Sequence, residues 1–411
     1  MIDVLRQRNF SLLWIAALVS GIGNFILLAA LPYFVYATSG SALASGGAFI
    51  SEMLPMILFP PIGGAYADRW RRKPVLAGSD VLRGLLVLPL IAVHGMPTLW
   101  IVYVSAFLGA AVGNFAGPFG SAAIPHVVRE DDLGAANAAF SVGGSIAGII
   151  GFPLGGLLLQ RSGLPAVVLV DSLSFVVSGL LIAFINVPLE PVRDRSPQVG
   201  VSPLRRVQED WTHGLAVVRS ERWLLVFYVV TAFTFLGNGG LWTVLPAFVR
   251  SVLGGSPQFY SWVLTAQSIG GVAASISIGW VLKRSSTART LAIALLAFGL
   301  LDGLVALAAS RPATLLAFFL AGPPALFGIA ALNTILQAES RPDYRGRVFG
   351  LYLMINALAS VAGSLLAGAL ADSFGSRAVL GGEGLVVFIG GLVATFALVP
   401  ALREARAARA A

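Results

Sequence analysis

Apolar runs of about 20 residues, separated by short polar loops, fill most of this chain. Folded as a helix, a run of that length crosses a hydrocarbon layer of about 30 Å. Two of the intervening loops are cationic hairpins, GAYADRWRRK at Gly64–Lys73 and GWVLKRSSTA at Gly279–Ala288, and the second follows half a chain after the first. The recurrence predicts an all-α membrane protein built by duplication.

Composition excludes water as the main solvent of the folded chain. Hydrophobic residues make up 57% of the 411 residues and charged residues 11%, whereas soluble domains carry roughly a quarter charged residues. The 47 glycines are typical of membrane helices, in which small residues allow close backbone approach. Cysteine is absent, which excludes disulfides and thiolate metal sites, and the three histidines lie apart. We therefore expect no metal site and no cofactor.

The net charge of +8 is distributed as in a membrane protein and not as in a nucleic-acid-binding one. If the N-terminus is cytoplasmic, most of the lysines and arginines fall on the cytoplasmic side, as the positive-inside rule requires. The exceptions are few: Arg161, Arg250, Arg311 and Arg377 in outer loops and Arg83 within a span. We expect a multi-pass protein of the cell membrane with both termini in the cytoplasm, surrounded by lipid and without a nucleic-acid partner.

The apolar pattern predicts twelve spans. They cover residues 10–38, 45–66, 74–94, 97–125, 132–160, 164–188, 223–250, 257–282, 289–309, 313–338, 346–373 and 377–401. The predicted domains are residues 1–188, a cytoplasmic linker at 189–222 and residues 223–411. Within the linker, apolar residues at helical spacing after Ser202 and Pro203 indicate an amphipathic helix on the membrane surface. An ordinary tether explains the same stretch.

A second pair of segments supports the duplication. Arg129–Leu158 and Arg341–Leu370 align without a gap, which matches Arg129 to Arg341 and Gly151 to Gly363. Secondary transporters use internal repeats of this size to build two bundles around a central site.

The first hairpin carries the residues through which the chain resembles a known family. The motif G-x-x-x-D-R-x-x-R-[RK] of the major facilitator superfamily is matched by Gly64, Asp68, Arg69, Arg72 and Lys73. Further segments resemble the twelve-helix drug-exporter branch, which includes macrolide and siderophore exporters: Arg8–Phe10, Thr38–Ala42, Asp171–Phe175 and Gly346–Val348. The resemblance implies two six-helix bundles related by pseudo-twofold symmetry.

Asp68 is the predicted conformational gate. A carboxylate at the end of one span can accept from the free backbone N–H groups at the start of a neighbouring helix. By resemblance that neighbour is the eleventh span, which begins near Gly346. The three cations Arg69, Arg72 and Lys73 belong to the same motif, and we expect them to anchor the loop at lipid phosphates. In the second hairpin Lys283 replaces the acid, so the gate depends on Asp68 alone.

The fifth span resembles the antiporter pattern G-P-x-x-G-G, with the proline one place late. Its small residues and proline are Gly148, Gly151, Pro153, Gly155 and Gly156. The pattern favours antiport without settling its direction.

Ionisable residues inside the membrane need a partner or a function, since each costs a few kcal/mol or more. Glu52, in the outer third of the second span, is the predicted proton-coupling residue, with a structural hydrogen-bonding role as the alternative. By resemblance the third, sixth, ninth and twelfth spans are peripheral. We therefore expect structural charge pairs or caps from the remaining four residues: Asp80, Arg83, Asp171 and Asp302.

Neutral amides and aromatic side chains on the presumed cavity helices predict the substrate cavity. The candidates are Asn24, Phe25, Asn114, Phe115, Asn137, Asn238, Trp242, Gln267, Asn333 and Asn356. Such a lining suits amphipathic compounds better than phosphates or dicarboxylates. Individually, each residue is also explained by interhelical hydrogen bonding or core packing.

These patterns predict a transporter and not an enzyme. The leading hypothesis is a monomeric exporter of drugs or other amphipathic small molecules, driven by proton antiport through alternating access. The chain has no G-x-x-x-x-G-K-[ST] loop for ATP, so the proton gradient is the expected energy source. Export of one endogenous compound, such as a siderophore or lysolipid, is the alternative, and nutrient uptake is a weaker one.

Overall fold

A computed structural model describes residues 2–67, 69–187, 221–308, 310–341 and 344–410. Within these ranges the chain is helical and contains no strand. Eleven of the described helices are long and apolar enough to cross a membrane. In lipid every backbone N–H and C=O must find a partner within the protein, and a helix provides one internally. The all-α membrane class is confirmed.

The helices are labelled in chain order by the pass they make. The first four are α1 (Arg8–Ser39), α2 (Ala42–Ala67), α3 (Arg72–Val87) and α4 (Trp100–Val127). The helix Leu133–Ala183 makes two passes, and we call residues 133–162 α5 and residues 164–183 α6. The others are α7 (Arg222–Ala247), α8 (Pro257–Arg284), α9 (Thr287–Ala308), α10 (Arg311–Glu339), α11 (Arg345–Phe374) and α12 (Ser376–Val393). Through a π-helical turn at Ala394–Leu398, α12 continues into α13 (Val399–Ala410).

Two glycines make the tight turns between consecutive passes. Gly163 has φ 74° between α5 and α6, and Gly375 has φ 86° between α11 and α12. Side chains with a Cβ rarely adopt positive φ, so glycine suits both turns. The two positions correspond in the same ungapped register that matches Arg129 to Arg341. The repeat therefore extends from sequence to backbone conformation.

The twelve predicted spans correspond to the twelve passes of the described residues, and their ends differ by a few residues. The start of α3 at Arg72 and the start of α7 at Arg222 precede the predicted starts, because the helices continue beyond the apolar core into their charged ends. The linker, with its predicted surface helix, lies outside the described residues except for Glu221 and Arg222.

The described residues form two compact units. One contains residues 1–39, 51–203 and 256–265, and the other contains residues 40–50, 204–255 and 266–411, as far as these are described. The predicted boundary between halves stays a prediction, since most of it lies in the linker. The starts of two helices belong to a different unit from the one predicted from the sequence. The first turns of α2 belong to the second unit, and those of α8 belong to the first.

Specific contacts explain both assignments. Within the second unit, Asp372 on α11 accepts hydrogen bonds of 2.6 Å from the Ser41 hydroxyl and from the backbone N–H of Ala42. Within the first unit, the Gln258 side chain of α8 donates to the carbonyl of Pro153 on α5, and Gly156 faces Ser261 with no room for a side chain.

Close packing within each unit depends on small residues. In the first unit, α1 and α5 touch along Gly151 and Gly155, where an added methyl group would collide with the backbone of Ile22 and of Ile26. Since lipid tails are as apolar as leucine, membrane helices gain association energy mainly from such close contact. This pairing positions α1, which lines the cavity described below.

Candidate functional site

A cavity of about 450 Å³ lies inside the first unit. Residues of α1, α2, α4 and α6 line it, together with α3 and the 3₁₀ turn that follows α3. Its wall is largely aliphatic. The polar side chains that line it are Asn24, Glu52, Arg83, Ser105, Asn114 and Asp171.

Arg83 is the cation of this cavity. Its guanidinium donates from Nη2 to the Oδ1 of Asn24 at 2.8 Å and lies 4.2 Å from the ring centre of Phe175. Gly113 on α4 leaves the space that the guanidinium occupies, since an added methyl group there would lie 3.2 Å from Cζ. An arginine over an aromatic face with an amide acceptor retains much of its favourable interaction without bulk water.

Asp171 is the most enclosed carboxylate of the cavity. It is fully buried on α6, and neither of its oxygens has a hydrogen-bond partner. A methyl group added at Gly23 would lie 2.6 Å from its Oδ1, so the carboxyl group packs directly against the α1 backbone. Arg83 is the cation that acts on this carboxylate electrostatically. A charge in this position depends on Arg83, because a buried ion without a partner is strongly unfavourable.

Glu52 is a further carboxylate that lines the cavity and interacts with Arg83. It is half-buried on α2, lines the cavity beside Met53 and Met56, and interacts electrostatically with Arg83. One guanidinium therefore interacts with three carboxylates, Asp80, Asp171 and Glu52, of which Asp171 and Glu52 line the cavity. A single cation neutralises only one of them, so acidic groups are in excess around the cavity.

The two charged residues of α3, Asp80 and Arg83, hydrogen-bond to different neighbouring helices. Asp80 accepts a hydrogen bond from Ser178 on α6, and Arg83 donates to Asn24 on α1. Each side chain thus hydrogen-bonds to a neighbouring helix, and the two charges also attract each other along α3. Arg83 and Asp171 both line the cavity, because α3 and α6 contribute to its wall. Their structural role stays a prediction.

The cationic loop after α2 is described except at its acid. Asp68 lies outside the described residues, so the gate stays a prediction. Gly64 is half-buried and Arg69 exposed, and Gly346 is exposed in the other unit. Arg72 is 5% exposed and its guanidinium contacts the His126 ring, while Lys73 donates to the carbonyl of Ile185 at 2.9 Å. Both side chains are thus held by protein groups and not by lipid phosphate alone.

The antiporter-like run on α5 provides helix contacts. Gly148 and Gly151 face the Phe25 side chain, Gly155 faces Ile26, and Gly156 faces α8. Pro153 is half-buried and accepts from Gln258. The glycines therefore position α1 and, with it, Asn24.

The remaining cavity candidates divide by unit. In the first, Asn114 lines the cavity, Phe25 packs edge-on against Phe152, and Phe115 packs against Phe119. Asn137 and, in the second unit, Asn333 donate to carbonyls of their own helices.

In the second unit, Trp242 stacks with Phe49 at 6.5 Å and Asn356 accepts from Ser360. Asn238 and Gln267 are half-buried. For these residues substrate contact stays a prediction.

Sequence reasoning missed two acidic residues of the second unit. Glu383 on α12 is 6% exposed and lies beside Asp302 of α9, which is 3% exposed. Asp372, on α11, accepts hydrogen bonds from Ser41 and Ala42 at the start of α2, as described above. The repeat register that pairs Gly163 with Gly375 also pairs Asp171 with Glu383, and this signal was sufficient to find Glu383.

Comparison with known proteins identifies the fold and the family. A family model described as "Transmembrane secretion effector" matches residues 2–411. The multidrug efflux pump Tap of Mycolicibacterium fortuitum is 27% identical, with 97% of each chain covered. Macrolide efflux protein A of Streptococcus pyogenes is 24% identical over 90% of this chain and 91% of its own.

A solved structure of a mutant of the nucleoside transporter NupG superposes with a TM-score of 0.77 at 14% identity and covers 94% of this chain and 99% of that chain. At this identity the likeness shows the fold alone. With a family match along nearly its whole length, this chain belongs to the major facilitator superfamily, among its multi-pass membrane transporters of the transmembrane secretion effector family.

Proposed function

We propose that this protein exports drugs or other amphipathic small molecules in exchange for protons. In this proposal it works as a monomer in the cell membrane with both termini cytoplasmic, alternates the access of its binding site between the two sides, and needs no cofactor or metal.

Relatives named for multidrug and macrolide efflux, covered along nearly their whole lengths, support export of hydrophobic compounds. The aliphatic wall of the cavity is compatible with such compounds, because apolar surface contributes most of the binding energy in small-molecule pockets. Arg83 does not contradict this, since its charge is engaged by Asn24 and by acidic neighbours. Because Arg83 already has these partners, little positive charge remains to bind a phosphate or a dicarboxylate.

The charge arrangement of the cavity supports coupling to protons. Arg83 interacts with Asp80, Asp171 and Glu52, of which Asp171 is fully buried. Glu52 is the more accessible of the two carboxylates that line the cavity. It is therefore the group from which a proton can leave and to which one can return.

A working cycle follows from this arrangement. From the outer side a proton binds Glu52 and reduces its attraction for Arg83. From the cytoplasmic side Glu52 loses the proton, and its carboxylate then competes with Asp171 for the guanidinium. Because α2 carries Glu52 and α3 carries Arg83, this competition applies force between helices. Asp68, on the loop that joins them, is the proposed cytoplasmic latch.

The test uses a bacterial host lacking its own drug pumps. We expect expression of the wild type to raise resistance to ethidium and macrolides, and Glu52→Gln to abolish this protection at equal membrane abundance. Glu52→Asp, which keeps an ionisable group, is the matched control and should retain part of the protection. Full protection by Glu52→Gln would remove Glu52 from the coupling step, and no protection by the wild type would contradict the proposed substrate class.

A further inference from the structure

We propose that Asp302 and Glu383 form a second proton-binding site, a carboxyl pair between α9 and α12 that takes up and releases a proton during transport. The inference rests on the proposed proton-coupled function and extends it to the second unit, where sequence reasoning assigned Asp302 to a structural pair.

Backbone contact between the two helices brings the carboxyl groups together. Gly299 and Gly384 face each other at the crossing, where a methyl group added to Gly384 would lie 2.7 Å from the Gly299 carbonyl and 3.1 Å from the Asp302 Cβ. Glu383 precedes Gly384 and feels the charge of Asp302. Glycines on both helices thus form the crossing beside the two acids.

Both acids are withdrawn from solvent. Asp302 is 3% exposed and Glu383 is 6% exposed, and both carboxylate oxygens of Glu383 are buried without a hydrogen-bond partner. The Glu383 carboxyl group packs against Gly240 of α7. A methyl group added to Gly240 would lie 2.7 Å from the Glu383 Cδ. The side chain is thus fixed among backbone and apolar atoms.

The described residues around the pair supply no compensating cation. Arg377, on α12, is the nearest along the chain, and its guanidinium donates to the carbonyls of Ala306 and Leu307, one turn beyond Asp302. On α7 the nearest titratable group is Tyr228, about three turns from Gly240, which donates to the carbonyl of Val348. The cations on the described parts of the surrounding helices and of the turn after α7 lie at helix ends: Arg222, Arg250, Arg289, Arg311, Arg345 and Arg347.

Two like charges cannot both persist so close together in a medium of low dielectric constant, and one of the carboxyl groups must hold a proton. The comparison between units sharpens the point. The residue that corresponds to Glu383 is Asp171, which faces Arg83, whereas Glu383 faces a second acid. In the first unit the cation Arg83 compensates the charge of Asp171. In the second unit a proton shared by Asp302 and Glu383 takes the place of that cation.

A proton on this pair also affects the glycine-rich surface by which α7 packs against its neighbours. Gly240 ends the segment Gly237–Gly240 of α7, in which three of four residues are glycine. Loss of the proton puts a negative charge against the backbone of this segment. The charge favours an arrangement in which α7 moves away and admits water, and reprotonation restores the packing.

The test separates the pair from the rest of the cycle by detecting protons directly. In purified full-length protein in nanodiscs, infrared spectra between about pH 5 and pH 9 record the carbonyl stretch of protonated carboxyl groups. We expect a titrating band in the wild type that is absent from the double variant Asp302→Asn, Glu383→Gln. Glu383→Asp changes the packing but keeps the acid, and should retain a titrating band. Spectra of the wild type and the double variant that titrate identically would overturn the proposal.

A second arm measures protons exchanged per ethidium in proteoliposomes. We expect the double variant to exchange about one proton fewer than the wild type, because one site is lost. A titrating band with an unchanged proton ratio would overturn the coupling role, and displacement of the band by sodium at constant pH would assign the pair to a metal cation. If wild-type export ignores the proton gradient while the band titrates, the proposed function fails and with it the coupling role of the pair.

Discussion

Replacement of Arg83 by glutamine tests the charge balance of the cavity most sharply. The substitution removes the 2.8 Å hydrogen bond to Asn24 and the contact with the Phe175 ring. A hydrogen bond to a charged group contributes about 1.5–3 kcal/mol, and a desolvated cation–π contact about 2 kcal/mol. It also leaves Asp171 buried without its cation, which costs about 3–5 kcal/mol if the carboxylate stays charged.

These contributions are not additive, because Asp171 can take up a proton instead of staying charged. We therefore expect Arg83→Gln to lower the free energy of unfolding by about 3–5 kcal/mol near neutral pH. Adding Asp171→Asn to this variant removes the charge that Arg83 compensated. The double variant should accordingly be less destabilised than the two single variants added together, with a coupling of about 2–3 kcal/mol.

The assay is a double-mutant cycle on the purified protein, with unfolding in detergent followed through tryptophan fluorescence. Asp372→Asn in the same Arg83→Gln background serves as the comparison, since Asp372 lies in the second unit and bonds to the start of α2. Strict additivity of Arg83→Gln and Asp171→Asn would refute the reasoning, because it would show that the two side chains do not sense each other's charge.

The remaining predictions concern four positions. Glu52→Gln should reduce the ethidium gradient that proteoliposomes sustain by about tenfold for each pH unit imposed, since one coupled proton supplies about 1.4 kcal/mol per unit, and should leave downhill flux intact; an unchanged gradient contradicts this. Asp68→Asn should slow transport more than it weakens ethidium binding, and equal transport would refute the gate. Asp372→Ala should remove about 1 kcal/mol of helix capping and speed hydrogen exchange in residues 42–50, whereas unaltered exchange argues against the cap. Gly155→Leu should lower the unfolding temperature far more than Gly144→Leu, because Gly144 faces open space; equal shifts would exclude close α1–α5 packing as the reason.

The passes themselves were predictable because their physics is local. A helix that must satisfy its own backbone in lipid is specified by about 20 apolar residues, and α4 and α10 show this with few charges to interrupt them. The ends were less predictable, since charged residues such as Arg72 extend a helix without belonging to its apolar core.

The arrangement of the buried charges was predictable only in part. The spacing of Asp80 and Arg83 indicates one helix face but not which neighbouring helix each side chain reaches. That choice depends on small residues distant in sequence: Gly113 makes room for Arg83, and Gly23 for Asp171. The sequence contained the signal for Glu383 as well, in the register that aligns it with Asp171, and an inspection of single residues did not reveal it.

The most direct test of the central claim is proton exchange during export. Purified protein is reconstituted into liposomes that contain a pH-sensitive dye, ethidium is added on one side, and the internal pH is followed without an imposed gradient. We predict that ethidium movement in one direction drives protons in the other, and that Glu52→Gln moves fewer protons for each ethidium than the wild type does. Ethidium movement by the wild type with no change in internal pH would contradict the account.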